Sequence, residues 1–154
     1  MSNIIHVAAA AMIDDNERVL LSRRRPDSHQ GGLWEFPGGK LEPDESVAAG
    51  LARELHEELG IDVVAHRPLI RITHHYPDRK VLLDVRLVDD WRGIPVGREG
   101  QPLAWVERKA LLDYPMPAAD APVVKALLLP SNYLITPPQM ESPDRFLRGL
   151  ESSL

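Results

Sequence analysis

The sequence has no cysteine, so neither a disulfide framework nor thiol chemistry is available to it. It also lacks a long hydrophobic run, because the longest one, Val7 to Ile13, is far too short to span a bilayer. No basic region precedes that run, so we expect no signal peptide, no membrane partner and a cytoplasmic location. An excess of positive charge is missing as well. The net charge of −5 therefore gives no general affinity for polymeric nucleic acid.

The length of 154 residues suits one domain that can bury a core. The hydrophobic pattern predicts a mixed α/β domain over residues 1–130, followed by a tail over residues 131–154. Strands are predicted at Ile4–Ile13, Arg18–Ser22 (returning beside the first), Val63–His75, Lys80–Val88 and Gln101–Val106. Helices are predicted at Arg108–Leu112 and Ala121–Leu129, with Pro122 tolerated in the first turn of the second.

The most informative feature is the stretch from Gly39 to Ile61, whose spacing reads G-x5-E-x7-R-E-L-x-E-E-x-G-I. It predicts a helix with Asp44 as N-cap, Glu45 in the first turn and Gly60 as the C-terminal stop. The predicted apolar face consists of Ala48, Leu51, Ala52, Leu55 and Leu59.

Three carboxylates, Glu54, Glu57 and Glu58, share an adjacent face of that helix because they are three and four positions apart. Since like charges repel, a cation should compensate them, and a hard ion such as Mg²⁺ prefers carboxylate and phosphate oxygens. Arg53 has a planar guanidinium suited to fixing the carboxylates of Glu45 and Glu54. The alternatives are that the three glutamates form an ordinary solvated acidic face of the helix and that Arg53 is only a surface arginine.

The glycine-rich segment Phe36–Lys40 precedes the helix, and it lets the backbone approach a ligand and turn carbonyl oxygens toward a metal. Alone, it would be only a turn. With Gly39, Glu45, Arg53 and Gly60 in register, the whole pattern resembles the Nudix box without departure. The flanking sequence resembles the MutT-type 8-oxo-dGTP diphosphatases within that superfamily. The matching stretches, within roughly Ile4 to Leu129, are Ser22–Arg24, Asp27, His29, Glu35–Lys40, Tyr76–Arg79 and Gly97–Pro102.

The resemblance implies the Nudix α/β/α sandwich with a mixed sheet between helices. It also implies Mg²⁺-dependent hydrolysis of an oxidised deoxynucleoside triphosphate to the monophosphate and pyrophosphate, with Mn²⁺ as a substitute ion. The substrate is then a small nucleotide, and we expect a monomer. By position, the metal ligands would be Glu54, Glu57, Glu58, Glu99 and the Gly38 carbonyl. The catalytic set would be Glu54, Arg53, Glu45 and Glu99, the last as a ligand or general base. Substrate would contact Arg24, His29, Phe36, Lys40 and Arg79.

The chain departs from the MutT pattern at Asp120, which takes the place of an asparagine before the last helix. An ionised aspartate can accept a hydrogen bond from the N7–H of 8-oxoguanine but cannot donate one to O6. Asp120 could instead only cap the helix. Alternatives without a functional role are that Arg23–Arg25 form a solvated turn, that Phe36 is a core residue and that Glu99 is a surface acid. His29, His74 and His75 could be metal ligands, but we interpret them as structural.

The tail resembles the first strand and helix of the thiamine-phosphate-synthase-like barrel fused behind some MutT-type domains, or it packs simply on the domain. Three functional hypotheses are open. They are hydrolysis of 8-oxo-dGTP, Nudix hydrolysis of another nucleotide, such as an ordinary dNTP or a nucleotide sugar, and non-catalytic nucleotide sensing. The intact Glu54, Glu57 and Glu58 argue against the third.

Overall fold

The computed structural model describes residues 4–130. The strands are β1 (Ile4–Met12), β2 (Arg18–Arg23), β3 (Trp34–Glu35), β4 (Gly38–Lys40), β5 (Asp62–His75), β6 (Lys80–Arg92) and β7 (Leu103–Glu107). The α-helices are α1 (Val47–Leu59) and α2 (Ala121–Leu128), and 3₁₀ turns occupy Arg108–Asp113 and Ala118–Asp120. Between residues 4 and 130, no helix combines the length and hydropathy needed to cross a bilayer. The predicted tail at 131–154, with its barrel-like or packed alternatives, lies outside the described residues.

Two sheets form the frame, and they confirm the predicted mixed α/β class. The larger has the order β4-β1-β6-β5, with β1 parallel to β6 and antiparallel to β4. The smaller has the antiparallel order β3-β2-β7. The prediction that β2 returns beside β1 is wrong except for one bridge between Ile13 and Val19. Strand β2 instead pairs with β7. The two strands are far apart in the sequence, so the local hydrophobic pattern does not predict their pairing.

The second half of strand β1, from Ala8 to Met12, is buried on both faces, and its residues alternate between two apolar clusters. Ala8, Ala10 and Met12 pack with the leucines of α1, whereas Ala9 and Ala11 pack with the side chains under α2. Small side chains let a helix approach the strand closely on either side. The sheet therefore lies between α1 and α2, as a layered arrangement of helix, sheet and helix requires.

Helix α1 begins later than the sequence predicts. Ser46, not Asp44, is the N-cap, and its side chain accepts a hydrogen bond from Ala49 N. Asp44 has a positive φ of 65°, so it belongs to a turn, and Glu45 precedes the helix. Such left-handed backbone is more readily adopted by aspartate than by most residues. The predicted stop at Gly60 is confirmed by its φ of 72° and its N–H bond to His56 O.

The apolar face of α1 is narrower than predicted. Leu51, Leu55 and Leu59 are 0 % exposed, and each contributes about 1.5–3 kcal/mol relative to an exposed side chain. Ala48 and Ala52 lie instead in solvent, because the helix is rotated so that Gly50 faces inward. This rotation directs the neighbouring acidic face toward β4.

Candidate active site

Arg53 is the centre of a polar network that joins α1 to the turn before it. Its Nε donates to Glu45 Oε1 at 2.9 Å and its Nη2 to Glu45 Oε2 at 2.9 Å. Nη1 donates to Glu54 Oε1 at 2.9 Å and lies 3.5 Å from Glu57 Oε2. Nη2 also reaches the carbonyl of Lys40 at 3.1 Å. The predicted contact of Arg53 with Glu45 and Glu54 is therefore present.

Glu45 is fixed from two sides. Its Oε2 accepts the backbone N–H of Glu42 at 2.9 Å in addition to the bond from Arg53. The hydrogen bond from Arg53 lowers the pKa of Glu45 to about 2, with a smaller contribution from the Glu42 N–H. Glu45 is thus a permanent anion that orients the guanidinium rather than a proton carrier.

Gly39 explains why the loop before α1 cannot carry a side chain. A Cβ at this position would lie 2.2 Å from Glu54 Cδ, so the carboxyl group occupies that space. Strand β4 therefore lies directly against the acidic face of α1. The backbone of Gly38 and Gly39 and the carboxylate of Glu54 form one continuous surface.

The far end of α1 is covered by the loop between β6 and β7. Val96 N donates to Leu59 O at 3.0 Å, and Arg98 N donates to Glu58 O at 3.0 Å. These bonds satisfy carbonyls that a helix end leaves without intrahelical partners. They also bring Glu99 to the same end of the helix as Glu58.

A cavity of about 350 Å³ opens beside this surface. Its size is in the range of small-molecule sites. The predicted site residues that line it are Arg24, His29, Phe36, Gly38, Lys40, Glu58, Arg79, Glu99 and Asp120. Glu45, Arg53, Glu54 and Glu57 do not line it, and lie on the adjoining side of α1 and β4. The structure thus places the predicted residues in two adjacent groups that meet at Glu58 and Gly39.

The cavity is also lined by an unusual pair of acids, Glu35 and Asp120. Glu35 forms an ion pair with Arg24, whose Nε also donates to His29 O at 2.8 Å. Asp120 is only 7 % exposed. Although it occupies the N-cap position of α2, its side chain makes no capping hydrogen bond. Its carboxyl group is therefore available to the cavity.

Burial controls the ionisation of both acids. Burial raises the pKa of Asp120 to about 7, with the Glu35 charge adding to the shift and Arg24 opposing it. Burial also raises the pKa of Glu35, and Arg24 opposes that shift. Near neutral pH, Asp120 can thus exist in both protonation states.

Glu58 has the most perturbed carboxyl group at the acidic end of the cavity. Burial raises its pKa to about 8, and the carboxylates of Glu54, Glu35 and Glu99 act in the same direction. A backbone hydrogen bond from Gly38 opposes the shift. Acidic side chains are therefore concentrated at one wall of the cavity.

This donor set suits a hard divalent cation, for which carboxylate and carbonyl oxygens are the preferred ligands. Among residues 4–130, no three acidic or histidine side chains are already gathered as a metal-binding group. Arg53 holds only Oε1 of Glu54, so no hydrogen bond within the described part of the chain engages Oε2. A cation would offset the repulsion that raises the pKa of Glu58, so the residues fit such an ion.

His29 and His74 belong to no group of metal-binding side chains among residues 4–130 and pack instead against an aromatic ring. His74 packs edge-on against Tyr76 with ring centroids 4.5 Å apart, and His29 contacts the same tyrosine at 6.0 Å. Phe36 is both core and cavity wall, since it is 3 % exposed and packs with the α2-side cluster. Arg79 lines the cavity while its guanidinium is bonded to Asp78 at 2.8 Å.

Sequence reasoning did not select Glu35, Tyr76 or Gln101, which also line the cavity. Glu35 lies between two aromatic residues, Trp34 and Phe36. Its proximity to Arg24 follows from the pairing of β2 with β3, with Ser22 opposite Glu35. A charged residue flanked by aromatics in a short strand is the only local signal for it.

The family model for the NUDIX domain matches residues 8–126. An 8-oxo-dGTP diphosphatase of Proteus vulgaris is 42 % identical over 96 residues, which cover 62 % of this chain and 86 % of the relative. A CTP pyrophosphohydrolase of Escherichia coli (strain K12) is 39 % identical over 119 residues, covering 77 % of this chain and 88 % of the relative.

The fold is also shared with solved structures. A MutT structure from work on Aliivibrio salmonicida and Vibrio cholerae superposes with a TM-score of 0.73 at 35 % identity, covering 82 % of this chain and 98 % of that one. The chain belongs to the Nudix hydrolase family. Within that family, it is similar to 8-oxo-dGTP diphosphatases of the MutT type, and Nudix hydrolases generally use a divalent metal.

Proposed function

We propose that this enzyme hydrolyses a nucleoside triphosphate to the monophosphate and pyrophosphate with Mg²⁺, and that 8-oxo-dGTP is its preferred substrate. The main support for the proposal is that one cavity extends from the acidic end of α1 to Asp120. One end suits a metal-bound triphosphate and the other a base. The relatives named 8-oxo-dGTP diphosphatase support the choice of substrate.

The ion would be held by Glu54, Glu57, Glu58, Glu99 and the Gly38 carbonyl, and Mn²⁺ would substitute for Mg²⁺. When bound, it would neutralise phosphate charge and lower the barrier to attack on phosphorus. Lys40 lines the cavity, and its ammonium would contact phosphate oxygens. Arg53 fixes Glu45 and Glu54, and does not itself line the cavity.

The reaction would be attack of water on the β-phosphorus. The bond from that phosphorus to the oxygen shared with the α-phosphate breaks, and the oxygen leaves on the monophosphate. A carboxylate takes the proton of the water. Glu99 is the candidate general base, because it is exposed and lines the cavity beside Glu58. Pyrophosphate is then the second product.

Base recognition is proposed for Asp120, with Arg24, His29, Phe36 and Arg79 around it. A carboxylate oxygen accepts from the N7–H of 8-oxoguanine, whereas ordinary guanine presents a bare acceptor at N7. The protonated form of Asp120 can also donate to O6. Because the pKa of Asp120 is raised to about 7, both forms are populated near neutral pH.

A second substrate, CTP, is favoured by the same aspartate. Cytosine presents an exocyclic amine that donates to an acceptor such as a carboxylate. A relative named CTP pyrophosphohydrolase shares 39 % identity with this chain. The two substrates therefore differ in the hydrogen bonds they require from Asp120.

A substrate panel with Mg²⁺, in which the nucleoside monophosphate and pyrophosphate are both quantified, tests these assignments. It should contain 8-oxo-dGTP, dGTP, CTP, dCTP and a nucleotide sugar, compared by kcat/KM. We expect 8-oxo-dGTP to give the highest value and pyrophosphate to be the product. A highest value for CTP would favour the second substrate, and no turnover of any compound would refute the hydrolase assignment.

A further inference from the structure

The loop between β6 and β7 contains Gln101, whose side chain forms hydrogen bonds with the backbone of both Glu58 and Glu99. Gln101 Nε2 donates to the backbone carbonyl of Glu58 at 3.2 Å. Its Oε1 accepts the backbone N–H of Glu99 at 2.9 Å. One carboxamide therefore connects the end of α1 to the residue that carries the Glu99 carboxylate.

We propose that Gln101 is a positioning residue that holds Glu99 in register with Glu58 for the hydrolysis. This inference rests on the proposed function, since it assigns Gln101 a task in the same site. Gln101 acts through the two backbone groups it joins and needs no contact with substrate.

The need for such a connection follows from charge and exposure. Glu99 is exposed, and its side chain lines the same cavity as that of Glu58. Repulsion between the two carboxylates favours their separation. Val96 N and Arg98 N attach the loop to the end of α1, and the bond from Glu99 N–H to Gln101 extends that attachment to the residue that carries the acid.

Arg98 provides a useful contrast within the same loop. Its guanidinium Nη1 donates to His56 O at 3.1 Å, so its side chain also satisfies a carbonyl at the end of α1. That bond does not involve Glu99. Loss of the Arg98 side chain should weaken attachment of the loop in general, whereas loss of Gln101 should release Glu99 in particular.

Four variants test the proposal: Gln101→Ala, Gln101→Glu, Glu99→Gln and the double variant Gln101→Ala/Glu99→Gln, with Arg98→Ala as control. Two quantities are measured: the affinity of the substrate-free protein for Mn²⁺, from the electron paramagnetic resonance signal of the free ion, and kcat and KM. Thermal unfolding establishes that each variant folds.

Gln101→Ala should weaken Mn²⁺ binding and lower kcat by roughly tenfold each, as loss of a supporting contact around a metal typically does, while KM changes little. In the Glu99→Gln background, Gln101→Ala should lower Mn²⁺ affinity and kcat by no more than about twofold, because Gln101 would have no carboxylate left to position. Gln101→Glu keeps the acceptor for Glu99 N–H but loses the donor to Glu58 O. It should therefore resemble Gln101→Ala.

The proposal would be overturned if Gln101→Ala lowered Mn²⁺ affinity and kcat equally with and without Glu99→Gln. Wild-type behaviour of Gln101→Glu would also overturn it. So would equal effects of Arg98→Ala and Gln101→Ala on Mn²⁺ binding. A wild-type protein without hydrolysis would refute the proposed function separately. In that case the Mn²⁺ affinities still decide the role of Gln101: a Glu99-dependent loss supports it, and an unchanged affinity rejects it.

Discussion

Arg53 and Glu45 face each other through two parallel contacts, Nε to Oε1 and Nη2 to Oε2, both of 2.9 Å. Glu45 lies before α1 and Arg53 in its middle, so the pair joins the turn to the helix. A fork-to-fork contact of this kind fixes orientation as well as distance. The remaining nitrogen, Nη1, is thereby aimed at Glu54.

Arg53→Ala should lower kcat by on the order of 10- to 100-fold and leave KM nearly unchanged, because the side chain orients Glu54 and does not line the cavity. Arg53→Lys should resemble it, since a single ammonium cannot make the paired contact. Steady-state kinetics measure both constants. Arg67→Ala, which removes an exposed ion pair with Asp89, is the control. A change confined to KM would assign Arg53 to substrate binding instead.

Removal of divalent metal by a chelator should abolish hydrolysis, and Mg²⁺ or Mn²⁺ should restore it. Glu54→Gln and Glu57→Gln should each lower kcat by roughly 100-fold or more, because a neutral amide is a poor ligand for a hard cation. Thermal unfolding should show that both variants remain folded.

The control for these ligand variants is Glu107→Gln. Glu107 lies at the end of β7, outside the residues that line the cavity, so its neutralisation should leave kcat unchanged. Near-normal turnover of Glu54→Gln or Glu57→Gln would contradict the assignment of the acidic face of α1 as a metal site.

Asp120→Ala should reduce the preference for 8-oxo-dGTP over dGTP in kcat/KM by roughly tenfold or more, about 1.4 kcal/mol. Asp120→Asn should keep or enlarge that preference, because an amide both accepts from N7–H and donates to O6. The exposed Asp113→Ala serves as control. If Asp120→Ala lowers stability but leaves the preference unchanged, the base is read by other residues.

Asp120 should also make stability depend on pH. Its pKa is about 7 in the folded protein against a usual 3.8, so between these values the folded state binds more protons than the unfolded state. Stability contributed by this group is therefore complete below the lower value and is lost as pH rises through the upper one. Asp120→Asn cannot ionise and should avoid that loss.

Thermal unfolding of metal-free wild type and Asp120→Asn between pH 4 and pH 8 measures this difference. The variant should gain stability relative to wild type as pH rises, by on the order of 1 kcal/mol or more, which corresponds to roughly 2–4 °C per kcal/mol in Tm. A difference that does not vary with pH would mean that the carboxyl group titrates normally in the folded protein.

The sequence was sufficient for features that depend on short-range pattern. The predicted strands Val63–His75 and Lys80–Val88 form the hairpin of β5 and β6, which turns at Tyr76–Arg79. Gly60 ends α1 as predicted, because this position has a left-handed backbone conformation that glycine adopts readily. The sequence predicts too early a start for α1, since Asp44 and Ser46 are both good caps and the structure makes Ser46 the N-cap.

Features formed by distant parts of the chain were not predictable in the same way. The pairing of β2 with β7 depends on which sheet has a free edge, and no residue in β2 specifies it. The pocket role of Glu35 depends on the pairing of β2 with β3, which brings Glu35 beside Arg24. Asp120 could be located from its motif, but its lack of a capping bond required the packing around α2.

The alternation along β1 has a consequence for the evolution of specificity. Ala9 lines the cavity, whereas Ala10, the next residue, packs against α1. A larger side chain at Ala9 would reshape the chamber for the base while leaving the acidic helix in place. The same change at Ala10 would press on the helix and leave the chamber open. Substrate range and catalytic power can therefore diverge independently through adjacent codons of one strand.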